Sequence, residues 1–294
     1  MMNWVMYLFC SGAVFFLGVA LILMGVALFL STSRKWLGNL ATHCATVGLI
    51  LIIFSASPLP YWFYFLGGGA TALWLTAERF KPHRFPRCRY VLRGLVGVIW
   101  LTAAGVEFPY HLSPSVTAAG RPKLYMIGDS VAAGMGSRGE ETWPRLLART
   151  RSIEVADFSR VGATAASALQ QAEGLPPAGG MVLLEIGGND LLGSTTATQF
   201  ASDLDRLLAR VCAAGRSVLM FELPLPPFRN EYGRIQRRLA AKYGVSLIPK
   251  RIFIAVLTAN GATLDSIHLT REGHQQMAEA VWRLVAPVYT NQEH

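Results

Sequence analysis

Charged side chains are scarce in this chain: 15% of its 294 residues are Asp, Glu, Lys or Arg, and the 18 acidic residues are outnumbered by 27 basic ones. From Trp4 to Leu30 no charge occurs at all. Cysteine is nearly absent. Cys10, Cys44, Cys88 and Cys212 are the only four, and no two have metal-ligand spacing, which argues against a zinc-ribbon type of site. Cys212 stands alone after residue 110, so no disulfide forms within that part. No internal repeat or low-complexity segment is visible, which sets aside repeat architectures and biased tracts. The net charge of +9 invites a nucleic-acid reading, but no basic patch with interleaved aromatics follows residue 110, and no nucleic-acid partner is expected. Most of the excess charge lies elsewhere. Residues 1–110 hold Arg34, Lys35, Arg79, Lys81, Arg84, Arg87, Arg89 and Arg93 against only Glu78 and Glu107.

These cations punctuate long apolar runs. Four spans are expected, at about 4–30, 36–56, 61–77 and 91–106, making residues 1–110 a transmembrane region. A cleaved signal peptide fits poorly: no basic residue precedes Trp4, and the run is too long. The third span is short and contains Gly67-Gly68-Gly69. Three small residues would let a neighbouring helix approach closely, or would break a re-entrant segment. His43 reads as an interfacial residue. The spans show no paired charges of the kind a transporter needs. Basic loops stay cytoplasmic. Arg34-Lys35 and the run from Arg79 to Arg89 are therefore inside, and the N-terminus and everything after the fourth span are outside. The expected location is the cell (inner) membrane, with the bilayer as a partner and the C-terminal domain extracytoplasmic.

Residues 111–122 read as a linker and 123–294 as a soluble domain. Strands are expected at Leu124–Ile127, Ile153–Ala156, Met181–Ile186, Ser217–Glu222 and Val245–Ile248. Helices are expected at Glu141–Thr150, Ala165–Glu173, Thr198–Ala214, Glu231–Tyr243 and Arg271–Val288. Alternation of near-continuous apolar strands with helices predicts an α/β fold, a parallel sheet covered on both faces. Cys212 reads as a small buried residue on a helix.

In such a sheet, chemistry gathers at the C-terminal strand ends. Gly128-Asp129-Ser130 follows the first strand, Gly162 the second, and Gly187-Gly188-Asn189-Asp190 the third. Asp265 and His268 sit on a loop before the last helix. A serine hydroxyl needs a base to become a nucleophile. His268 suits that task because imidazole ordinarily titrates near pH 6.5, and Asp265, three residues earlier, can hold its tautomer. The backbone N–H groups of Ser130 and Gly162 and the amide of Asn189 can stabilise an oxyanion. Each piece alone reads equally well as a turn or a helix cap. Their order, each at a strand end or before the final helix, makes the catalytic reading the stronger. Asp129 and Asp190 are expected to shape their loops. His274, in the start of the last helix, is expected to be exposed. Leu223 to Phe228 should border the cleft.

Together these motifs resemble the SGNH (GDSL-type) hydrolase family, in particular its lysophospholipase-like and arylesterase branch, over about residues 123–288. The resemblance implies a three-layer flavodoxin-like domain and no metal or organic cofactor. Carried over, it makes Ser130 the nucleophile, Asp265 and His268 its catalytic partners, and Ser130, Gly162 and Asn189 the oxyanion hole. Where the family's second motif often begins with Asn, this chain has Asp157. The four spans lie outside the resemblance.

The expected function is a membrane-anchored serine esterase, lipase-like, that works through an acyl-enzyme on an acylated lipid or envelope glycan. Acyl transfer by the same acyl-enzyme is one alternative. A non-catalytic membrane scaffold is another, and retention of every catalytic residue type argues against it.

Overall fold

A computed structural model describes residues 3–31, 35–80, 86–118, 120–136, 140–213, 215–265 and 267–290. Arg34, Ser266 and 81–85, which hold part of the basic loops, lie outside the described residues. The chain divides into two compact units. One takes residues up to Tyr7, Tyr110–Leu225 and everything from Glu231 on; the other takes Leu8–Pro109 and Pro226–Asn230.

The expected first span is two helices, α1 (Trp4–Cys10) and α2 (Ala13–Ser31). Ser11 and Gly12 separate them. The Ala13 N–H donates to Ser11 Oγ at 3.2 Å, and Gly12 takes a φ of 84°. A serine that caps and a glycine that turns outweigh the apolar run around them. Helices α3 (Lys35–Phe54), α4 (Tyr61–Phe80) and α5 (Pro86–Glu107) follow. By length and composition, three helical stretches are apolar enough to cross a membrane: Ala13–Leu30, Trp36–Phe54 and Arg87–His111. The expected third span is α4, which is not among these three; it is equal to α3 in length and unbroken at Gly67-Gly68-Gly69. No re-entrant break occurs there.

The close helix approach lies elsewhere than expected. A Cβ on Gly18 would stand 2.6 Å from the Gly48 carbonyl oxygen, and one on Gly48 would stand 2.5 Å from that of Gly18. Neither position admits a side chain, so α2 and α3 touch backbone to backbone. Gly67 instead makes room for the Trp100 ring, 2.7 Å from where its Cβ would be. Phe15, Ile22, Ile52, Trp74 and Trp100 form the core of this unit.

A buried ion pair joins α4 and α5 just past the end of the expected third span. Glu78 on α4 is bound by Arg93 at 2.7 Å and Arg89 at 3.2 Å on α5, and it accepts from Trp74 Nε1 at 3.2 Å. Arg93 and Glu78 are buried, and the Arg93 guanidinium also lies over Phe29. Composition missed the pair because its members sit at facing ends of two helices. Pairing removes much of the cost of burying each charge.

The other unit is a five-stranded, all-parallel sheet. Its strands are β1 (Leu124–Gly128), β2 (Val155–Asp157), β3 (Met181–Glu185), β4 (Ser217–Phe221) and β5 (Ser246–Ile248), in the order β2-β1-β3-β4-β5. Strands β1, β3 and β4 are almost wholly buried, as the apolar runs require. Short helices α6 (Ser130–Ala133) and α9 (Gly188–Leu192) start directly after β1 and β3. The longer helices are α7 (Trp143–Arg151), α8 (Ala165–Gln171), α10 (Ala197–Val211), α11 (Asn230–Tyr243), α12 (Lys250–Leu257) and α13 (Arg271–Thr290). Strand order reverses between β1 and β3, which opens a crevice at their C-terminal ends.

Residues around the rejoining point are tied into this unit. The Arg237 guanidinium lies 3.6 Å over the Tyr110 ring and bonds Glu222 at 2.6 Å. Arg251 donates to the His111 carbonyl at 2.8 Å, and Ser217 Oγ to that of Thr117 at 2.6 Å. The N-terminal residues join the same unit, where the Asn3 N–H donates to the Thr258 carbonyl at 3.1 Å. Cys212 is not on a helix but just past α10, half-buried. Burial raises its thiol to about 11, which makes it unreactive at neutral pH.

Candidate active site

The nucleophile candidate stands on a tightly built turn. Gly128 ends β1, and a Cβ there would meet Met126 Cε at 2.8 Å and Ala132 Cβ at 2.9 Å. The buried Gln171 side chain brackets the Gly128 backbone. Its Oε1 accepts from the Gly128 N–H and its Nε2 donates to the Gly128 carbonyl, both at 3.2 Å. Asp129 then caps α6, accepting from the Val131 N–H at 2.9 Å. Ser130, the first residue of α6, is 6% exposed.

Asn189 joins three loops. Its Nδ2 donates to Asp129 Oδ2 at 3.1 Å, after β1, and to the Ala163 carbonyl at 3.0 Å, after β2. Both amide hydrogens are thereby engaged. Reaching an oxyanion requires the Ala163 bond to be exchanged, a rearrangement that catalytic groups commonly make once substrate binds. Gly162, next to Ala163, takes a φ of 72°, so the left-handed backbone and not crowding selects glycine there. Asp190 turns away from Ser130 and accepts from the Ala165 N–H at 2.8 Å. It shapes its loop, as Asp129 does.

Asp265 and His268 meet directly, with Asp265 Oδ2 and His268 Nδ1 2.6 Å apart. Asp265 Oδ1 also accepts from the backbone N–H of His268 at 2.9 Å and of Ile267 at 3.2 Å. These bonds hold the Asp265 carboxyl down at about 2, so it stays ionised through the physiological range. His268 lies near enough to the Asp129 carboxylate to favour its charge. The loops bearing Ser130, Gly162, Asn189 and His268 thus converge on one edge of the sheet.

Three groups had gone unnoticed or misplaced in the sequence. Glu185, the last residue of β3, is 3% exposed, and its Oε2 accepts from the Asp129 N–H at 3.3 Å. A lone acid inside an apolar run was the available signal. His274 is 1% exposed, not on the surface. It accepts from the Trp143 N–H at Nδ1, 3.2 Å, and its Nε2 faces Glu140 Oε1 at 3.3 Å. Glu140 accepts in turn from the Met135 N–H at 2.9 Å, so the pair braces the chain just past Ser130. In the stretch expected to border the cleft, Leu223 and Leu225 are buried and Phe228 is exposed. A Leu223 methyl stands 3.0 Å from where a Cβ on Gly187 would be, supporting the Asn189 loop from beneath.

His274 has a measurable signature. Burial lowers its pKa, and Glu140 offsets this only in part. Below roughly pH 6.5 the unfolded chain takes up a proton that the folded one resists. Stability should therefore fall as pH drops through that value. Thermal unfolding in detergent should show the wild type losing its advantage over His274→Gln between about pH 7.5 and 5.5. A gap that stays constant would show that His274 does not titrate on unfolding.

Comparison with known proteins finds relatives of this part of the chain. The GDSL-like Lipase/Acylhydrolase family matches residues 126–276. Esterase TesA of Pseudomonas aeruginosa is 26% identical over 179 residues, covering 56% of this chain and 88% of that protein. Thioesterase 1/protease 1/lysophospholipase L1 of Escherichia coli K12 is 27% identical over 184 residues, covering 58% and 86%. Among solved structures, the psychrotrophic esterase EstA from Pseudoalteromonas sp. shares the fold, with a TM-score of 0.51 and 19% identity over 58% of this chain and all of that one.

Proposed function

This chain belongs to the GDSL-like lipase/acylhydrolase family, and from that premise we propose a membrane-anchored, extracytoplasmic enzyme that forms an acyl-enzyme on Ser130. It is a serine carboxylic ester hydrolase. Ser130 Oγ attacks the ester carbonyl while His268 Nε2 takes its proton, and Asp265 holds Nδ1. The N–H groups of Ser130 and Gly162 hold the oxyanion, joined by the Asn189 amide once it exchanges its bond to the Ala163 carbonyl. Collapse expels the alcohol with the proton from His268. Water then repeats the sequence and releases the acid. The observation that carries this reading is the 2.6 Å Asp265–His268 contact on a loop that reaches the Ser130 edge. A serine-reactive phosphonate should label the wild type and not Ser130→Ala; equal labelling of both would refute it.

Asn189→Ala should lower kcat by roughly two to three orders of magnitude and change KM less, because the amide acts where negative charge develops. Steady-state kinetics on a soluble ester decides this. A raised KM at constant kcat would make Asn189 a ground-state binding residue.

An acylated lipid is favoured over a glycan as substrate. Beyond Pro122, the exposed large apolar side chains among the described residues of the hydrolase unit are Met135, Val161, Leu192, Leu264 and Ile267. Met135, Val161, Leu264 and Ile267 lie on the loops that carry the candidate residues, and Leu192 ends α9 beside Asn189. Solvent-facing apolar side chains gathered at one site suit an acyl chain. Turnover should rise with acyl length across an ester panel. Preference for acetylated sugars would favour the glycan.

Membrane crossing is supported by outward-facing Leu17, Ile50, Phe65, Leu73 and Val98 on α2 to α5, an apolar surface a bilayer would cover. Parity supports the orientation. Residues 3–7 and those after Tyr110 form one unit, so both lie on one side of the membrane and the crossings between them are even in number. Four crossings, by α2, α3, α4 and α5, meet this; three do not. With the basic loops cytoplasmic, the hydrolase unit is outside. Alkaline-phosphatase fusions at Arg84 and after His294 should be inactive and active respectively. The reverse pattern would invert the orientation.

A further inference from the structure

Beneath the Ser130 turn two carboxyl groups face each other with no cation between them among the described residues. Strands β1 and β3 are in register with Gly128 opposite Glu185. Glu185 therefore stands under the residue that follows Gly128. The Asp129 N–H donates to Glu185 Oε2 at 3.3 Å, which sets the two carboxyl groups close enough for the Asp129 charge to disfavour that of Glu185. Burial raises both carboxyls, Glu185 the further, so a proton is held more firmly on Glu185 than on Asp129. Glu185 is the more deeply buried and has Asp129 against it, whereas Asp129 has the Val131 N–H, the Asn189 amide and His268 to favour its charge. Burial first, and the Asp129 charge second, push Glu185 well above the ordinary carboxylate range. A protonated Glu185 has an O–H to offer the Asp129 carboxylate.

That carboxylate makes contacts on both sides of the nucleophile. Oδ1 holds the Val131 N–H, immediately after Ser130, and Oδ2 holds the Asn189 amide. We propose that Glu185 is a positioning residue of the reaction: acting through Asp129, it fixes both the stance of the Ser130 turn and the direction in which the Asn189 amide points. The inference rests on the acyl-enzyme reading and extends it to a residue that touches no substrate.

The charged and titratable groups around the pair are few. Asp129 faces Glu185 from the turn after β1. Asp190, on α9, adds like charge near Asp129, and Asp203, on α10, adds like charge near Asp190. His268, from the loop before α13, contributes the opposite sign. Gln171, on α8, is neutral and holds Gly128. If Glu185 loses its proton at high pH, it repels Asp129 and the turn loses its donor. Glu185→Gln keeps a donor for Asp129 and an acceptor for the Asp129 N–H and cannot ionise. Glu185→Leu has neither and leaves the Asp129 N–H unpaired.

The test compares wild type, Glu185→Gln and Glu185→Leu in the full chain in detergent, with kcat and KM on a soluble ester across pH. Glu185→Leu should lose roughly ten- to a hundred-fold in kcat with KM little changed, as misplacement of catalytic groups does. Glu185→Gln should restore most of the loss near neutrality and flatten the fall of kcat at alkaline pH. A folded Glu185→Leu with wild-type kcat would overturn the proposal, as would a Glu185→Gln as impaired as Glu185→Leu. If Glu185→Leu does not fold, the Glu185→Gln profile decides: an alkaline limb that coincides with the wild type overturns it. Failure of the acyl-enzyme reading looks different, since the phosphonate would then leave wild-type Ser130 unlabelled.

Discussion

Replacing Ser130 by alanine should reduce ester turnover by roughly four to six orders of magnitude, the loss seen when a serine nucleophile is removed and only the oxyanion site and substrate binding remain. The change removes one oxygen from a small, buried side chain at the start of α6. The turn around it is held by other groups: Gln171 on Gly128, and Asp129 on the Val131 N–H. Thermal unfolding should therefore be nearly unchanged. Turnover by purified protein is the measurement. Retained turnover would mean that the chemistry does not pass through Ser130.

His268→Ala should be comparably damaging, because nucleophile and base act as a unit. Asp265→Ala should cost less, roughly four orders of magnitude, since an aspartate in this position orients the imidazole and steadies its charge without accepting the proton. The hydrogen bonds that hold Asp265 at about 2 keep it ionised above that pH. Orientation of His268 is then retained throughout the acid range in which esterases are assayed. An acid loss of kcat/KM therefore belongs to the base and not to its partner. Equal losses for His268→Ala and Asp129→Ala, with Asp265→Ala silent, would move the orienting role to Asp129.

The sheet and the site were legible for the same reason. A strand buried on both faces must be a short apolar run, and a polar cluster at its end has to lie where ligands bind. Ser130, Gly162 and Asn189 each followed such a run, and Asp265 and His268 preceded the final helix. Glu185 was lost by the same rule, since Met181–Ile186 reads as one apolar stretch and its single acid carries no periodic signal. Lys250–Leu257 read no better, because a short apolar run suits a strand as well as the helix α12 that it forms. His274 looked like a surface residue because its partners, Trp143 and Glu140, are more than a hundred positions away. In the helical unit the contrast was the same. Lengths of apolar sequence were plain and masked the local Ser11-Gly12 turn, whereas the Gly18–Gly48 contact and the Glu78–Arg93 pair depend on what a neighbouring helix offers.

The bond between Asn3 and Thr258 sets an order of assembly. Residues 3–7 are synthesised well before their counterpart in the hydrolase unit, and the entire helical segment is made in between. At typical translation rates of 5–20 residues per second, roughly 10 to 50 seconds separate them. During that interval the whole helical segment is made before the first strand of the sheet exists. The hydrolase unit is thus a discontinuous one, closed late by two stretches of chain from either side of the helical segment. The closure cost grows only slowly with the length of the segment looped out. What such an arrangement makes slow is time: the leading segment waits, unpartnered, until nearly the whole enzyme has been translated.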